Sequence, residues 1–185
     1  MKKTALILID IQNIYFTEGT YLLNKPEIAV GNARKVLEHF RENNLPIIHI
    51  QHSFENVGDI EKKQYLNCIH KEVAPKDGEV VIGKKYPNSF LNTELEMELK
   101  KSQVEELVIL GMMSHMCVDT TVRMCQNYGY KVCVIEDACT TKKLNFQNEE
   151  ISAEIVHKVF MASLDNMFAK VMGVDEFLLQ AEKSK

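Results

Sequence analysis

The chain has 185 residues, and its 22 Lys and Arg against 26 Asp and Glu give a formal net charge of −4. This length suits one domain, residues 1–185, and the absence of a basic cluster interleaved with aromatics argues against a nucleic-acid partner. The apolar runs are shorter than the roughly 20 residues that a membrane helix needs, and Asp10 interrupts the run that a signal peptide would continue. We therefore expect a cytoplasmic protein with no membrane or nucleic-acid partner.

The cysteine content indicates free thiols. The five cysteines are an odd number, which in a chain without a secretory signal favours reduced thiols over a disulfide set. No Cys-x-x-Cys pair occurs, so a structural zinc site has no basis. A cysteine is by default a small buried apolar residue, and a catalytic role for Cys117 needs further support.

Short apolar runs alternate with stretches of helical spacing, and this alternation defines the predicted elements. Gly129 ends the third helix, and the irregular segment 51–78 predicts a long loop with room for a short helix. In chain order we predict a strand at 5–9, a helix at 28–40, a strand at 46–50, the loop at 51–78, a strand at 79–82, a helix at 92–101, a strand at 107–110, a helix at 117–128, a strand at 131–136, a helix at 152–168 and a strand at 169–172.

Buried strands that alternate with helices predict a mostly parallel sheet of α/β class, covered by helices on both faces. Ligands bind such sheets beyond the carboxyl ends of the strands. That edge receives Asp10 after the first strand, Lys84 after the third, and Cys117 after the loop that follows the fourth. Each residue alone has an ordinary explanation, since an acid commonly forms a turn and a Lys-Lys pair commonly lies in solvent. Their joint position favours a site.

These three side chains have complementary chemistry. A free cysteine has a pKa near ~8.5, and both a helix N-terminus and a nearby ammonium favour its thiolate, so we expect Cys117 to be activated. The Asp10 carboxylate can take the thiol proton and return it to a leaving amine, while Lys84 offsets the carboxylate charge. Backbone N–H groups of the loop before Cys117 can stabilise an oxyanion. The predicted reaction class is acyl transfer.

Four segments carry a resemblance that covers nearly the whole chain in order. They are L-I-L-I-D-I-Q-N at 6–13, V-V-I-G-K-K-Y-P-N-S-F at 80–90, G-M-M-S-H-M-C-V-D-T-T-V-R at 111–123 and G-Y-K-V-C-V-I-E-D-A-C at 129–139. Together they resemble the isochorismatase-like cysteine hydrolases, which include nicotinamidase-related amidohydrolases. The resemblance implies a single-domain, three-layer α/β/α fold of Rossmann-like type with a six-stranded sheet.

The resemblance also implies the roles of individual residues. The family's Asp-Lys-Cys triad corresponds to Asp10, Lys84 and Cys117, and Lys84 is preferred to Lys85 because the family's lysine stands six residues before a phenylalanine, here Phe90.

The loop before the nucleophile carries two further implied features. The family's non-proline cis peptide corresponds to Met112-Met113, and its oxyanion hole corresponds to the backbone N–H groups of Met113 and Cys117. Ser114 replaces the family's usual threonine and keeps the hydroxyl.

No metal and no cofactor are expected. Nicotinamidases of the family bind a metal through an Asp-x-His element after the second strand, and Gln51 and Ser53 stand there instead. We expect His49 to pack within the strand, and His52 and His70 to lie near the substrate. The candidate pocket walls are Tyr15, Phe16, His52, Phe54, Tyr86 and Phe90.

The predicted function is hydrolysis of a small amide or related C–N substrate through a thioester acyl-enzyme. Two alternatives remain, cleavage of the vinyl ether of isochorismate and a thiol- or redox-responsive role without hydrolysis. A redox role normally needs a resolving cysteine, and Cys125 lies two helical turns from Cys117. The resemblance also suggests a homo-oligomer, a dimer or larger, in which Met116 and Met124 either supply apolar contacts or belong to the core.

Overall fold

A computed structural model describes residues 4–55 and 57–183. The strands are β1 (Thr4–Ile9), β2 (Ile47–His52), β3 (Val80–Lys84), β4 (Glu106–Met112), β5 (Lys131–Thr140), β6 (Leu144–Phe146), β7 (Glu149–Ile151) and β8 (Lys170–Met172). The helices are α1 (Pro26–Glu42), α2 (Ile60–Asn67), α3 (Leu95–Lys101), α4 (Asp119–Asn127), α5 (Ala153–Leu164) and α6 (Val174–Lys183).

Six strands form one all-parallel sheet in the order β3-β2-β1-β4-β5-β8. The chain moves outward from β1 to β2 and β3, and then returns to the other side of β1 to form β4 and β5. Helices α1 and α6 contact each other and β5, whereas α4 and α5 pack together by β5 and β8. The reversal of strand order between β1 and β4 is the type of position where open α/β sheets bind ligands.

Burial explains why these segments form a three-layer structure. The apolar residues of β1 are at most 2% exposed, as expected for a central strand that is covered on both faces. Helix α1 buries Ala33, Val36, Leu37 and Phe40 along one side, which is the spacing of an amphipathic helix. The predicted α/β/α architecture and the six-stranded sheet are confirmed.

Some predicted elements differ from the observed ones. The predicted helix 152–168 ends at Leu164, because Asn166 has a left-handed φ of 65° and Asp165 and Ala169 form an isolated bridge. The predicted helix from Cys117 begins as a π-helical turn at Ser114–Val118, and α4 follows from Asp119. The long loop contains α2, while the β6–β7 hairpin and α6 were not predicted.

None of the helices in the described part of the chain is long and apolar enough to cross a membrane.

Candidate active site

Asp10 lies directly after β1, beside the point where the strand order reverses. Its side chain is fully buried, and its backbone has a φ of +51°, a left-handed conformation that aspartate tolerates better than most residues. The Asp10 N–H donates to the Ile50 carbonyl at 3.0 Å, which ties the residue to the end of β2. In the described residues, Asp10 Oδ1 is buried without a hydrogen-bond partner, so it is available to accept a proton.

Lys84 ends β3 and brings its ammonium to Asp10. The Lys84 side chain is buried, and Nζ donates to Asp10 Oδ2 at 2.6 Å and to Cys117 Sγ at 3.2 Å. Lys85 instead points to the surface, where Nζ is 3.5 Å from Glu55 Oε1. The structure therefore brings together Asp10, Lys84 and Cys117, and it leaves Lys85 outside the site.

Cys117 lies in the π-helical turn that connects β4 to α4. It is 5% exposed, and the N–H groups of Met116 and Val118 both donate to the Met113 carbonyl, which closes the turn around it. The peptide bond between Met112 and Met113 is cis, as expected from the resemblance. This turn presents the sulfur to the carboxyl edge of the sheet.

The protonation of the site differs from the sequence-based expectation. Burial and then the Asp10 charge raise the pKa of Cys117, the Lys84 ammonium acts in the opposite direction, and the net result is a pKa of about 12. This direction opposes the thiolate expected from the sequence and favours the thiol form of Cys117 in the resting site. Burial also raises the pKa of Asp10 against the opposing effect of Lys84, which makes its carboxylate a stronger proton acceptor.

Three of the predicted wall residues cluster at the triad. Tyr15 is buried, and its phenol pKa is raised first by burial and then by the charges of Asp10 and Cys117. Phe54 packs edge-on to Tyr15 with ring centroids 5.9 Å apart, and its centroid lies 4.6 Å from that of His52. Aromatic surfaces therefore border the buried triad on this side.

The other three predicted wall residues differ in their contacts and exposure. Phe16 stacks on His70 with ring centroids 3.9 Å apart, and Tyr86 is 48% exposed. Phe90 stacks on Tyr128 at 4.7 Å, between α4 and the start of β5, and so points to the opposite edge of the sheet. The assignment of Phe90 to the pocket is corrected, because the chain after Lys84 runs along α4 and carries this ring away from the triad.

The histidines of β2 have different surroundings. His49 is buried in the strand, as predicted, and its Nε2 is 2.9 Å from Glu79 Oε2. His52 Nδ1 is 3.2 Å from Lys84 Nζ. Gln51, at a position where the resemblance to nicotinamidases implied a metal ligand, donates through Nε2 to the Asn67 carbonyl at 2.7 Å. In residues 4–55 and 57–183, no group of three or more His, Cys, Asp or Glu could hold a metal ion.

A hydrogen-bond chain beside Cys117 was not predicted from the sequence. Ser114, fully buried, is 2.7 Å from His157 Nδ1, and His157 Nε2 is 3.4 Å from Glu136 Oε2. This hydrogen-bond chain connects Ser114, the first residue of the turn that carries Cys117, to α5. The sequence signal was the hydroxyl at position 114, but its partner on α5 is 43 residues away and no local spacing indicates it.

Comparison with known proteins agrees with this geometry. The family model for the isochorismatase domain matches residues 4–176. The isochorismatase family protein YddQ of Bacillus subtilis is 46% identical over 179 residues, covering 95% of this chain and 98% of that protein. The ureidoacrylate amidohydrolase RutB of Stutzerimonas stutzeri is 23% identical over 211 residues, covering 95% of this chain and 81% of that enzyme.

Solved structures support the same assignment. An isochorismatase hydrolase of Oleispira antarctica is 35% identical with a TM-score of 0.90, covering 96% of this chain and 97% of that one. An isochorismatase of Pseudomonas putida is 34% identical with a TM-score of 0.87, covering 95% and 91%. The chain therefore belongs to the isochorismatase family of hydrolases.

Proposed function

We propose that this protein is a cysteine-dependent hydrolase that cleaves a small amide or related C–N bond through a thioester intermediate. The observation that carries the proposal is the position of the Lys84 ammonium, 2.6 Å from a carboxylate oxygen of Asp10 and 3.2 Å from the sulfur of Cys117 in a buried site. A nucleophile, a proton acceptor and a cation in mutual contact are the parts that covalent acyl transfer requires.

In the first half-reaction, Cys117 Sγ attacks the amide carbonyl carbon and its thiol proton moves to the Asp10 carboxylate. The tetrahedral intermediate carries the negative charge on the former carbonyl oxygen. As it collapses, the C–N bond breaks and protonated Asp10 gives its proton to the leaving nitrogen, which departs as ammonia or an amine. Lys84 stays charged and stabilises both the carboxylate and the developing thiolate.

In the second half-reaction, water attacks the thioester carbonyl while Asp10 accepts one of its protons. The C–S bond then breaks, the carboxylic acid leaves, and the proton held by Asp10 returns to the sulfur. The site is restored with a neutral thiol and a carboxylate. The same carboxylate thus acts as base and acid in turn, and its raised pKa suits both tasks.

Oxyanion stabilisation is assigned to the turn that holds Cys117. We place the oxyanion hole at the backbone N–H groups of Met113 and Cys117, because a helical turn directs N–H groups toward its amino-terminal side. The described π turn at Ser114–Val118 and the burial of the sulfur support this assignment. A water-excluding environment increases the effect of such donors.

The choice of amide chemistry is supported by the curated relatives. Several ureidoacrylate amidohydrolases can be aligned over more than 90% of the length of this chain. A redox role finds less support, because Cys125 is fully buried in α4 and its thiol donates to the Thr121 carbonyl at 3.2 Å. All five cysteines are free thiols, which supports our proposal of a cytoplasmic, reducing location.

The test combines a substrate screen with trapping of the intermediate. The purified protein is incubated with a panel of small primary amides, ureido acids and isochorismate, and products are identified by mass spectrometry. A converted substrate is then mixed with the protein and quenched in acid within milliseconds. We expect the acyl mass on the peptide that contains Cys117. Turnover without an adduct on Cys117 under single-turnover conditions, or conversion of isochorismate alone, would contradict the proposal.

A further inference from the structure

The buried ammonium of Lys84 has a third partner that the proposed mechanism does not use. An ammonium has three N–H donors. Two of them serve Asp10 Oδ2 at 2.6 Å and Cys117 Sγ at 3.2 Å, and the third partner is His52 Nδ1, also at 3.2 Å. Each donor of a cation that is removed from water therefore has an acceptor, which limits the cost of burying it.

The sheet places His52 where this contact is possible. Strands β2 and β3 are parallel neighbours, and their register pairs His52 with Lys84. Paired residues on adjacent strands extend from the same face of a sheet, so the imidazole and the ammonium stem rise side by side. The contact therefore follows from strand register rather than from a flexible loop.

A buried glutamine fixes the backbone of His52. The His52 N–H donates to Gln12 Oε1 at 2.8 Å, and Gln12 Nε2 donates to the His52 carbonyl at 2.9 Å. Gln12 is fully buried and stands two residues after Asp10. The segment that supplies the catalytic carboxylate thus also clamps the end of β2, so Asp10 and His52 are held in one rigid unit around Lys84.

The imidazole accepts this hydrogen bond in its neutral form. Burial and then the Lys84 charge lower the pKa of His52 to about 4. An ammonium cannot accept a hydrogen bond, so His52 Nδ1 is the acceptor and the ring proton is on Nε2. A neutral acceptor orients the cation without neutralising it, whereas a second carboxylate would compete with Asp10 for its charge.

We propose that His52 is a positioning residue, whose Nδ1 accepts the third N–H of Lys84 and holds the ammonium against the Cys117 sulfur. The role of His52 in catalysis rests on the proposed function. Its effect on the reactivity of the Cys117 thiol does not, and that effect is what the test measures. Loss of the acceptor leaves Lys84 free to turn away from the sulfur. Formation of the Cys117 thiolate then becomes less favourable.

The test measures thiol reactivity and needs no substrate. Wild type, His52→Leu and His52→Asn are treated with iodoacetamide at pH 8, and alkylation of the Cys117 peptide is followed by mass spectrometry. The exposed Cys68 is an internal standard in each sample. His39→Leu, which changes a histidine of α1 that packs by Phe177 at the opposite edge of the sheet, is the matched control.

We expect His52→Leu to alkylate Cys117 about tenfold more slowly, since a hydrogen bond to a charged group contributes enough for roughly that factor. His52→Asn places an amide oxygen near the position of Nδ1 and should restore the rate to within about threefold, and His39→Leu should match wild type. Wild-type alkylation in folded His52→Leu would overturn the proposal, even if the substrate KM changed, because that pattern indicates a pocket wall only.

A second comparison tests the proposal if His52→Leu does not fold. If circular dichroism shows that His52→Leu is unfolded, His52→Asn is compared with His52→Gln, whose longer side chain carries its amide past the Nδ1 position. The proposal then requires faster alkylation of Cys117 in the asparagine variant, and equal or reversed rates overturn it. Because iodoacetamide replaces the substrate, failure of the amidase proposal would leave this result unaffected, and the reverse also holds.

Discussion

The charged pair of Asp10 and Lys84 is buried completely, which is a costly arrangement for a protein of this size. A buried ion pair rarely stabilises a fold more than an apolar pair of similar volume would, so its presence points to function. Its neighbour Cys117 completes the pattern, because the pair holds a proton acceptor and a cation next to a thiol whose pKa is raised to about 12. In the mechanism that we propose, the thiol therefore loses its proton only when it attacks the substrate.

The two adjacent lysines provide a matched test of this assignment. We predict that Lys84→Ala lowers kcat/KM by at least about a hundredfold, because proton transfer then lacks the cation that supports it. Lys85→Ala should stay within about twofold, since Lys85 is exposed and forms a surface ion pair with Glu55. The measurement is steady-state kinetics on the amide found in the screen, with circular dichroism to verify folding. Equal losses in both variants would contradict the assignment of Lys84.

The proximity of Asp10, Lys84 and Cys117 could be predicted at the residue scale, but the electrostatics around the sulfur could not. Asp10, Lys84 and Cys117 follow strands whose apolar runs are evident in the sequence, and parallel strands bring their carboxyl ends together. The direction of the Cys117 pKa shift was not anticipated, because it depends on burial and on the nearby Asp10 charge, and neither is visible in a linear pattern. The partnership of His52 with Lys84 needs the β2–β3 register for the same reason.

Strand β4 passes β1 at very short distance near the site, and Gly111 makes this approach possible. Its φ is +133°, and a Cβ added there would lie 2.1 Å from the Ile9 carbonyl oxygen. This oxygen belongs to backbone at the end of the central strand, so it cannot move aside easily. The glycine thus permits the close pairing of β4 with β1 at Ile9, just before the turn that carries Cys117.

We predict that Gly111→Ala lowers the free energy of unfolding by more than about 3 kcal/mol, from steric overlap and backbone strain together. Gly31→Ala is the control, because Gly31 lies inside α1 with open space around its Cβ position. Alanine there should be neutral or stabilise by about 0.5–1 kcal/mol. Urea unfolding curves of both variants provide the measurement. A Gly111→Ala protein as stable as wild type would show that β1 and β4 are further apart than described.

At the element scale the long apolar strands were predictable and the short elements were not. Residues 5–9 and 107–110 are continuous apolar runs. Such runs are typical of strands that are covered on both faces. Strands β6 and β7 have three residues each and are half-buried or exposed, so they leave no alternation to detect. The π turn at Ser114–Val118 is set by contacts of Ser114 with α5, which are distant in sequence.

At the scale of the whole molecule, we propose that the protein forms a homo-oligomer. Ile155 and Val159 are 56% and 58% exposed on one face of α5, and Met116 is 37% exposed, whereas Met124 packs against the core. Exposed apolar side chains on one helix face favour burial against a partner surface. Sedimentation velocity should show a species heavier than the 21.2-kDa chain, and Val159→Lys should shift it toward monomer. A wild-type protein that sediments only as monomer would contradict this proposal.

We also predict that catalysis is independent of metal ions. The thiol supplies the nucleophile, the carboxylate transfers the proton and the backbone donors stabilise the charge. The mechanism therefore has no step that needs a metal ion. Gln51 stands where the resemblance implied a metal ligand, and it instead donates a hydrogen bond to the Asn67 carbonyl. Dialysis against a strong chelator should leave kcat unchanged within about twofold. A loss of rate that zinc, manganese or iron reverses would show that a metal site exists and takes part.

The central claim is that the sulfur of Cys117 carries the acyl group, and the most direct measurement compares two cysteine variants. Cys117→Ala and Cys125→Ala each replace a buried thiol, with the two positions separated by two turns along one helical segment. Single-turnover rates are measured on the amide identified in the screen, with thermal unfolding to verify the fold. The account predicts that Cys117→Ala loses at least about a thousandfold in rate while Cys125→Ala remains near wild type. A folded Cys117→Ala protein with a near-native rate would contradict the account.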